Sequence, residues 1–499
     1  MTTGVVEETF EGKKAHTLDA ARLANLEAFI EDGRRVAKIP GVAVAVLQGG
    51  KVVFEKGFGV RALGKRDPVT PSTLFRVASI TKPLTSLMIA ALVTEGRFDW
   101  DTHVTDLYPG FAVGDADLTK KMTIRNTLCA CTGIPYDNLG TDFEYAGVSA
   151  EKWFERMKVL APTRGFGEAL QESTPMIAAA GYVAAHAFDP RKPLGEAYDE
   201  AMRDKVFGPL GMKATTFDPR VVARSDHASP HLRDAKFDWV LSPSEVAAWF
   251  TPMNPGVGAW STVSDLARVL EMELAGGKTP DGKQAFAEKE LLARREPQVR
   301  AGEKSGYGLA LYVEKYGGVR VDGTAGHAPG YASTMFFLPD HGVAAVMLTN
   351  VDPPNPLTWQ FRRRLFELLF DGRDEAREGL SLDLKREEAS HAKEIAQIDF
   401  TPDRAFFERF AGTYESALHG KITIRIEGKG AVLDAGEWKT TVGRKREEDG
   451  TERLVGTPPP WLGWPSFVRK ESGGKVTLEM QSGQRKVVFE RKGGRGDVP

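Results

Sequence analysis

The sequence has 499 residues, of which 41% are hydrophobic and 27% charged, and its formal net charge is −2. This near balance of charge excludes a strongly basic nucleic-acid-binding protein, and the length is enough for two to four domains with sizeable cores. No stretch approaches the roughly 20 apolar residues of a membrane span. Residues 1–8 lack a basic segment followed by an apolar one, so we expect a cytoplasmic protein unless a signal segment has been removed.

The first hundred residues predict a helix, a hairpin and a second helix. Apolar residues recur at helical spacing over 18–38, which indicates a surface helix with one buried stripe. Two apolar runs within 42–54 flank Gly49-Gly50 and predict a β-hairpin. The next helix begins near Ser79 and ends at Glu95-Gly96.

The middle of the chain, roughly 100–260, is expected to be mostly helix and loop. The capping residues of 262–265 open a further helix. Strands return at 333–339 and 343–349, and a last helix covers about 357–371. Because strands begin and end this unit, the simplest packing is one antiparallel sheet built from both ends, with helices on its faces and a helical second lobe.

Residues after the last helix predict a different kind of structure. Charges crowd together from 374 to 396, which is typical of a solvated linker or helix. Short alternating segments then follow after 400, separated by turn residues, and indicate a small antiparallel β domain of barrel-like form. We therefore expect an α+β domain over 1–395 and a small all-β domain over 396–499.

Cysteine usage gives no sign of a metal centre. Cys129 and Cys131 lie too close in sequence for an easy, unstrained disulfide, so we expect two buried thiols in a reduced protein. No Cys/His spacing resembles a zinc site. We expect no metal and no organic cofactor.

Ser79-Ile80-Thr81-Lys82 is the motif with the clearest chemistry. On a helix, residues three apart share a face, so the Lys82 amine would lie beside the Ser79 hydroxyl. A serine hydroxyl needs a neighbouring base to become a nucleophile, and a lysine can act as that base only if its pKa is lowered. The start of the helix also offers the Ser79 backbone N–H to a developing oxyanion.

The surroundings of this motif strengthen its meaning. Residues 71–85 closely resemble the nucleophile region of the serine β-lactamase and penicillin-binding-protein superfamily, and look most like the branch with class C β-lactamases, D-aminopeptidases and related esterases. Later segments match the same branch in the same order: 123–135, 206–215, 258–262 and Gly326-His327. The resemblance covers about 20–370, and the tail resembles the small β domain that some members append.

The resemblance implies a β-lactamase-like fold with its site in the cleft between the sheet and the helical lobe. It implies that Ser79 attacks an ester or amide carbonyl and forms an acyl-enzyme, which water or another nucleophile releases. His327 would line the cleft and hold a substrate carboxylate or polarise the site. Gly330 falls where relatives supply the second oxyanion N–H. An ordinary loop histidine and an ordinary turn glycine are the alternatives.

The middle motif of the family, Tyr-x-Asn, is altered in this sequence. By register, Glu172 stands where the tyrosine belongs and Thr174 where the substrate-binding asparagine belongs. Glu172 would favour the ammonium form of Lys82, and as a desolvated glutamate titrating near neutrality it would take over as base. The alternative is a structural Glu–Lys pair in an impaired enzyme. Tyr136, which begins a literal Tyr-x-Asn, is a second candidate for the working hydroxyl.

These observations predict a serine hydrolase or acyltransferase that acts on a small-molecule ester or amide: a small ester, a D-amino-acid amide or peptide, or a β-lactam-like ring. No nucleic acid or membrane is expected as a partner. A catalytically impaired relative that binds acyl or peptide ligands is the first alternative. An interaction scaffold that uses the C-terminal β domain is the second.

Overall fold

The structure, a computed structural model, describes residues 8–492, without the side chains of residues 244–247. Its α-helices are α1 (Ala20–Val36), α2 (Thr81–Thr94), α3 (Val104–Leu107), α4 (Ala116–Lys121), α5 (Ile124–Leu128), α6 (Ala150–Arg156), α7 (Thr174–Phe188), α8 (Leu194–Met202), α9 (Gly208–Leu210), α10 (Pro219–Ala223), α11 (Asn254–Val257), α12 (Val263–Leu274), α13 (Glu288–Arg294), α14 (Pro356–Phe370), α15 (Ala376–Ala396) and α16 (Arg404–Glu408).

The strands fall into a first group before residue 350 and a second group after it. The first group comprises β1 (Gly41–Gln48), β2 (Lys51–Gly59), β3 (Phe75–Arg76), β4 (His231–Arg233), β5 (Trp239–Leu241), β6 (Trp260–Ser261), β7 (Val299–Arg300), β8 (Ser305–Tyr307), β9 (Tyr312–Tyr316), β10 (Val319–Ala328), β11 (Tyr331–Leu338) and β12 (Val343–Thr349). The second group comprises β13 (Ile398–Asp399), β14 (Gly412–Ser416), β15 (Gly420–Glu427), β16 (Gly430–Asp434), β17 (Lys439–Arg446), β18 (Glu452–Gly456), β19 (Ser466–Ser472), β20 (Lys475–Ser482) and β21 (Arg485–Lys492).

One large antiparallel sheet joins both ends of the first domain. Its strand order is β2-β1-β12-β11-β10-β9-β8-β7, so the first hairpin of the chain pairs directly with the last strand of the domain. The hairpin turns at Gly49 and Gly50, both with positive φ, a conformation that glycine adopts at little cost. The expected antiparallel sheet built from the two chain ends is confirmed.

Helices cover both faces of this sheet. One face packs on α1, α14 and the start of α15. The other face packs on the helical lobe, whose central helices α2 and α7 are buried over almost their whole length. The two apolar layers follow from the strands, since β1 and β12 are buried on both faces and consist of Val, Ala, Leu and Met almost throughout.

The C-terminal strands close into a barrel. Neighbours run β17-β16-β15-β14-β21-β20-β19-β18, and a further pairing of β17 with β18 closes the ring. Its core takes in Phe143, a residue of the helical lobe, and Trp438 donates its indole N–H to the Asp142 carbonyl at 2.9 Å. The barrel is therefore anchored on the lobe. The boundary expected between residues 395 and 396 falls at the last residue of α15 and stays a prediction.

Two details differ from the expectation. Cys129 and Cys131 form a disulfide, so the prediction of two free thiols is wrong; a Cα separation of 5.1 Å across the intervening Ala130 brings the sulfurs together. The helix expected from Ser79 begins at Thr81 instead, after a short 3-10 turn over Ala78–Ile80.

Between residues 8 and 492, no helix combines the length and the apolar character that crossing a bilayer requires.

Candidate active site

A tight turn before α2 carries Ser79. Ala78 has a φ of 48°, a left-handed conformation that costs energy for a residue with a side chain. Two contacts fix the turn: Thr81 donates its hydroxyl to the Ala78 carbonyl at 2.7 Å and accepts the backbone N–H of Ala259 at 3.1 Å. Ser79, in this turn, is only partly buried.

Strands β10 and β11 hold this turn from the other side. A Cβ at Gly326 would lie 2.6 Å from the Ser79 backbone nitrogen, so only glycine allows the strand to approach so closely. Ser333 donates its hydroxyl to the Val77 carbonyl at 2.9 Å. The sheet therefore fixes the serine next to the end of β10, where His327 lies.

Lys82, the second residue of α2, forms an ion pair with Glu172. The Lys82 side chain is 3% exposed and that of Glu172 is 30% exposed. The Tyr312 hydroxyl, on β9, donates to the second carboxylate oxygen of Glu172 at 3.1 Å. The prediction that Glu172 lies beside Lys82 is therefore met by the fold, and Tyr312 completes a row of three polar side chains.

The electrostatics of this row correct one expectation. Burial by itself raises the pKa of the Glu172 carboxyl, but the Lys82 ammonium and the Tyr312 hydroxyl outweigh burial and hold the pKa below its ordinary value. The sequence suggested a glutamate that titrates near neutrality, which is wrong because that argument counted burial without the ammonium. Glu172 is an anion at neutral pH.

His327 stands at the end of β10 with Asp352 beside it. Its Nδ1 lies 3.4 Å from Asp352 Oδ1, and 67% of the histidine side chain is exposed. The Asp352 carboxylate raises the pKa of His327 above its ordinary value, although burial and the Lys82 ammonium oppose this. Burial raises the pKa of Asp352 itself, so a protonated His327 is the partner that keeps this carboxylate charged.

Gly330 and Thr174 have clear structural duties. Gly330 has a φ of +83° in the turn between β10 and β11, and a Cβ there would lie 2.1 Å from Pro230. Thr174 begins α7 and is buried. Its methyl group packs against Gly256, in the space that a side chain on that glycine would occupy. No contact described within residues 8–492 joins either residue to Ser79, so their substrate-binding roles stay predictions.

The contacts described for Tyr136 do not include Lys82, Glu172 or Tyr312. The Tyr136 hydroxyl donates to Asn138 at 2.6 Å, and its backbone carbonyl meets Gly483 in the turn between β20 and β21. Burial raises its pKa well above the ordinary range of a tyrosine, so the hydroxyl stays protonated. A role of Tyr136 as the working hydroxyl stays a prediction.

A cavity of about 590 Å³ has Arg76, Trp260 and Tyr331 in its lining, but Ser79, Lys82, Glu172 and His327 do not line it. Arg76 precedes Ser79 by three residues and Tyr331 follows Gly330, so the cavity borders both segments. Its volume is in the range of sites for small molecules. Within residues 8–492, no cluster of three or more His, Cys, Asp or Glu side chains is arranged to hold a metal ion.

Sequence reasoning missed Tyr312 and Asp352. Tyr312 reaches Glu172 across 140 residues and only because β9 pairs with β10. Asp352 lies in the loop after β12. Its place shortly after a buried strand is the one feature of the sequence that could have indicated it.

Comparison with known proteins identifies the family. The family described as Beta-lactamase matches residues 26–365. Penicillin-binding protein 4 of Amycolatopsis lactamdurans is 28% identical over 325 residues, which cover 62% of this chain and 81% of that protein. Protein flp of Staphylococcus aureus strain MRSA252 is 31% identical over 117 residues, which is 23% of each chain.

A solved structure shows the same fold over both domains. The octameric penicillin-binding protein homologue from Pyrococcus abyssi aligns with a TM-score of 0.57 at 20% identity, covering 94% of this chain and 99% of that one. A serine in the turn before a helix and a buried lysine in the first turn of that helix, packed against strand β10 of an antiparallel sheet, agree with the family match over most of the chain. The chain belongs to the beta-lactamase family, whose members include penicillin-binding proteins.

Proposed function

We propose that this protein is a serine hydrolase or acyltransferase that forms an acyl-enzyme at Ser79. The observation that carries the proposal is the tight turn that holds a partly exposed Ser79 three residues before the buried, ion-paired Lys82. A bent backbone held by the sheet supplies the rigidity that an attacking group needs. The Ser79 backbone N–H, at the start of α2, is suited to stabilising the oxyanion.

Lys82 and Glu172 would take the proton that Ser79 loses. Lys82 and Glu172 share an ion pair, so the proton from Ser79 is taken up by the pair as a whole. The pair then carries one extra proton next to the oxyanion. Substrate that fills the cleft removes water from the partly exposed Glu172, and desolvation makes a carboxylate a better proton acceptor. Tyr312 would hold the carboxylate in place for this transfer.

The substrate class is an ester or amide of a small molecule. Small esters, amides or peptides of D-amino acids and β-lactam-like rings all place a carbonyl carbon before the serine. The name of the relative in Amycolatopsis, penicillin-binding protein 4, is a reason to include a penicillin in the first substrate panel.

The Lys82–Glu172 pair also favours a second candidate, an impaired member of the family that binds acyl or peptide ligands. An ammonium held by a carboxylate is a poorer base than a free amine. Such a protein would bind a β-lactam or ester reversibly and would release it unchanged.

Covalent labelling separates the two candidates. We expect a fluorophosphonate probe to add one equivalent to the wild-type chain by intact mass, with the adduct on the peptide that contains Ser79. The Ser79→Ala variant should not be labelled, whereas Ser72→Ala, which removes an exposed serine of the same segment, should react like the wild type. An unlabelled wild type that still binds a penicillin would establish the second candidate.

A further inference from the structure

Breakdown of an amide or alkyl ester needs a proton for the departing group. The residue that relays this proton in the resembling family is the tyrosine that Glu172 replaces. Glu172 is anionic before Ser79 attacks, and both of its carboxylate oxygens are already engaged, by Lys82 and Tyr312. The Tyr136 hydroxyl donates a hydrogen bond to Asn138. A second proton donor on another side of the cleft would let the leaving group depart while the serine proton stays in the Lys82–Glu172 pair.

His327 lies on β10 where this strand passes the turn that carries Ser79. It follows Gly326, whose Cα approaches the Ser79 backbone nitrogen so closely that a Cβ there would lie 2.6 Å away. Its side chain is 67% exposed, so a substrate can reach the ring. Imidazole is also the side chain best suited to giving and taking a proton near neutrality.

Asp352 has the position to orient His327. Its carboxylate is 18% exposed and lies 3.4 Å from Nδ1 of the ring. A carboxylate at Nδ1 keeps the proton on that nitrogen and turns the opposite nitrogen, Nε2, away from Asp352. A carboxylate beside Nδ1 is also what positions the catalytic histidine in serine hydrolases of other folds, where a hydrogen bond joins the two groups.

We propose that His327, positioned by Asp352, is the general acid for the leaving group and, once neutral, the general base for the deacylating water. This inference rests on the proposed function of Ser79. In acylation the Ser79 Oγ–carbonyl bond forms, the bond to the leaving group breaks, the serine proton enters the Lys82–Glu172 pair, and the Nε2 proton of His327 goes to the leaving heteroatom.

Deacylation reverses the proton movements. Water loses a proton to the neutral Nε2 of His327 while its oxygen bonds to the acyl carbon. The Ser79 Oγ–carbon bond breaks, and the proton held by the Lys82–Glu172 pair returns to Oγ. The product is the free acid, and each side chain regains its starting state.

The charges around His327 set the pH dependence. Asp352 faces the ring from the loop after β12, Lys82 from α2 and Glu172 from the segment before α7. Lys82 and Glu172 act in opposite directions, so Asp352 decides the direction of the shift. Since the acid form is required for acylation, turnover of a substrate with a poor leaving group should fall as pH rises through this raised pKa.

Two esters of one acyl group test the proposal, because p-nitrophenolate leaves without protonation and ethoxide does not. For His327→Gln we expect the acylation burst with the p-nitrophenyl ester to change less than about threefold, and hydrolysis of the ethyl ester to fall about 100-fold. Deacylation should also slow, so the variant should accumulate acyl-enzyme. Asp352→Asn should keep part of the ethyl-ester activity and move its alkaline limb to lower pH.

His103→Gln is the matched control, since His103 is another exposed histidine with an aspartate at 3.8 Å, on the helical lobe. It should behave as the wild type with both esters. Equal losses for the two esters, or no loss for either, would overturn the roles of His327 and Asp352 while leaving Ser79 acylation intact. A wild type without a p-nitrophenyl burst would overturn the proposed function as well.

Discussion

Lys82 keeps its charge almost entirely out of water, and Glu172 is the reason that this is stable. A buried ammonium without a partner costs several kcal/mol, whereas an ion pair with a further hydrogen bond offsets much of that cost. The pair therefore serves stability and chemistry together. The proposed role of the pair in accepting the Ser79 proton distinguishes it from a purely structural ion pair.

Replacing Glu172 by glutamine tests this place directly. The amide cannot take a proton, so we expect the acylation burst with a p-nitrophenyl ester to slow about 100-fold. Glu168→Gln, which changes an exposed carboxylate four residues earlier, serves as the control. A Glu172→Gln variant that acylates at the wild-type rate would reduce the pair to a structural feature.

Tyr312 tunes the same carboxylate through one hydrogen bond. Its hydroxyl favours the anionic form of Glu172 and lowers the pKa, so Tyr312→Phe should raise that pKa. Because the ionised carboxylate is required, the acid limb of the acylation rate should move upward by about one pH unit. A pH–rate profile measures this, with Tyr108→Phe on the helical lobe as the control. An unmoved limb would show that Glu172 does not govern it.

At the scale of elements, α2 is held in place by a buried ion triad. Arg294 of α13 donates to the Pro83 carbonyl at 2.9 Å and to the Ser86 hydroxyl at 3.1 Å. It also pairs with Glu273 of α12 at 2.7 Å, and Arg295 pairs with the other oxygen of that carboxylate. The helix that carries Lys82 is therefore tied to two others by its first turns.

Glu273→Gln should destabilise the fold strongly. Burial alone would raise the pKa of Glu273, but the two guanidinium groups outweigh it and bring the pKa to about 2. Removing the carboxylate leaves two buried cations unpaired, which costs about 3–5 kcal/mol of unfolding free energy in chemical denaturation. Glu27→Gln, in an exposed pair with Lys56, should cost less than about 1 kcal/mol. Equal losses in the two variants would contradict the account.

The elements of the sheet were partly predictable. The hairpin around Gly49-Gly50 and the strands of 333–349 have uniform apolar patterns, and both predictions are confirmed. The sequence did not predict strand β10, because Gly323 and Gly326 interrupt the apolar pattern of the strand. Glycine is present at 326 because β10 lies too close to Ser79 at this point for a side chain. The contact of His327 with Asp352 depends on the pairing of three strands, which no local pattern encodes.

At the scale of the whole molecule, the barrel touches the segments that carry the site. Gln484, in the turn between β20 and β21, accepts the side-chain N–H of Gln171 at 2.7 Å, one residue before Glu172. The backbone of 145–146 donates to Glu437 of the barrel at 2.9 and 2.8 Å. The sequence predicted a separate β domain but not its contacts with the helical lobe. An alternating pattern predicts strands, and it does not indicate which residues the outer surface of the domain contacts.

The buried carboxyl of Asp142, a residue whose backbone carbonyl contacts the barrel, is expected to make the stability of the fold depend on pH. Burial, with help from Asp137, raises the pKa of Asp142 to about 7. The folded protein therefore binds more protons than the unfolded chain between about pH 4 and pH 7, and the associated stability is lost as pH rises through that window. At most it amounts to about 4 kcal/mol.

Asp142→Asn removes this dependence. We expect its melting temperature, relative to the wild type, to rise between pH 5 and pH 8, because only the wild type has to ionise a buried carboxyl. The exposed Asp117→Asn should follow the wild type at both pH values. A constant difference between Asp142→Asn and the wild type would show that Asp142 is ionised throughout.

The central claim is that an acyl group is carried by Ser79, and rapid-quench mass spectrometry with a p-nitrophenyl ester tests it most directly. We predict a transient mass increase equal to one acyl group, located by digestion on the peptide with Ser79, which is absent from Ser79→Ala. Release of p-nitrophenol without any acylated chain, or an adduct that persists in Ser79→Ala, would contradict the account.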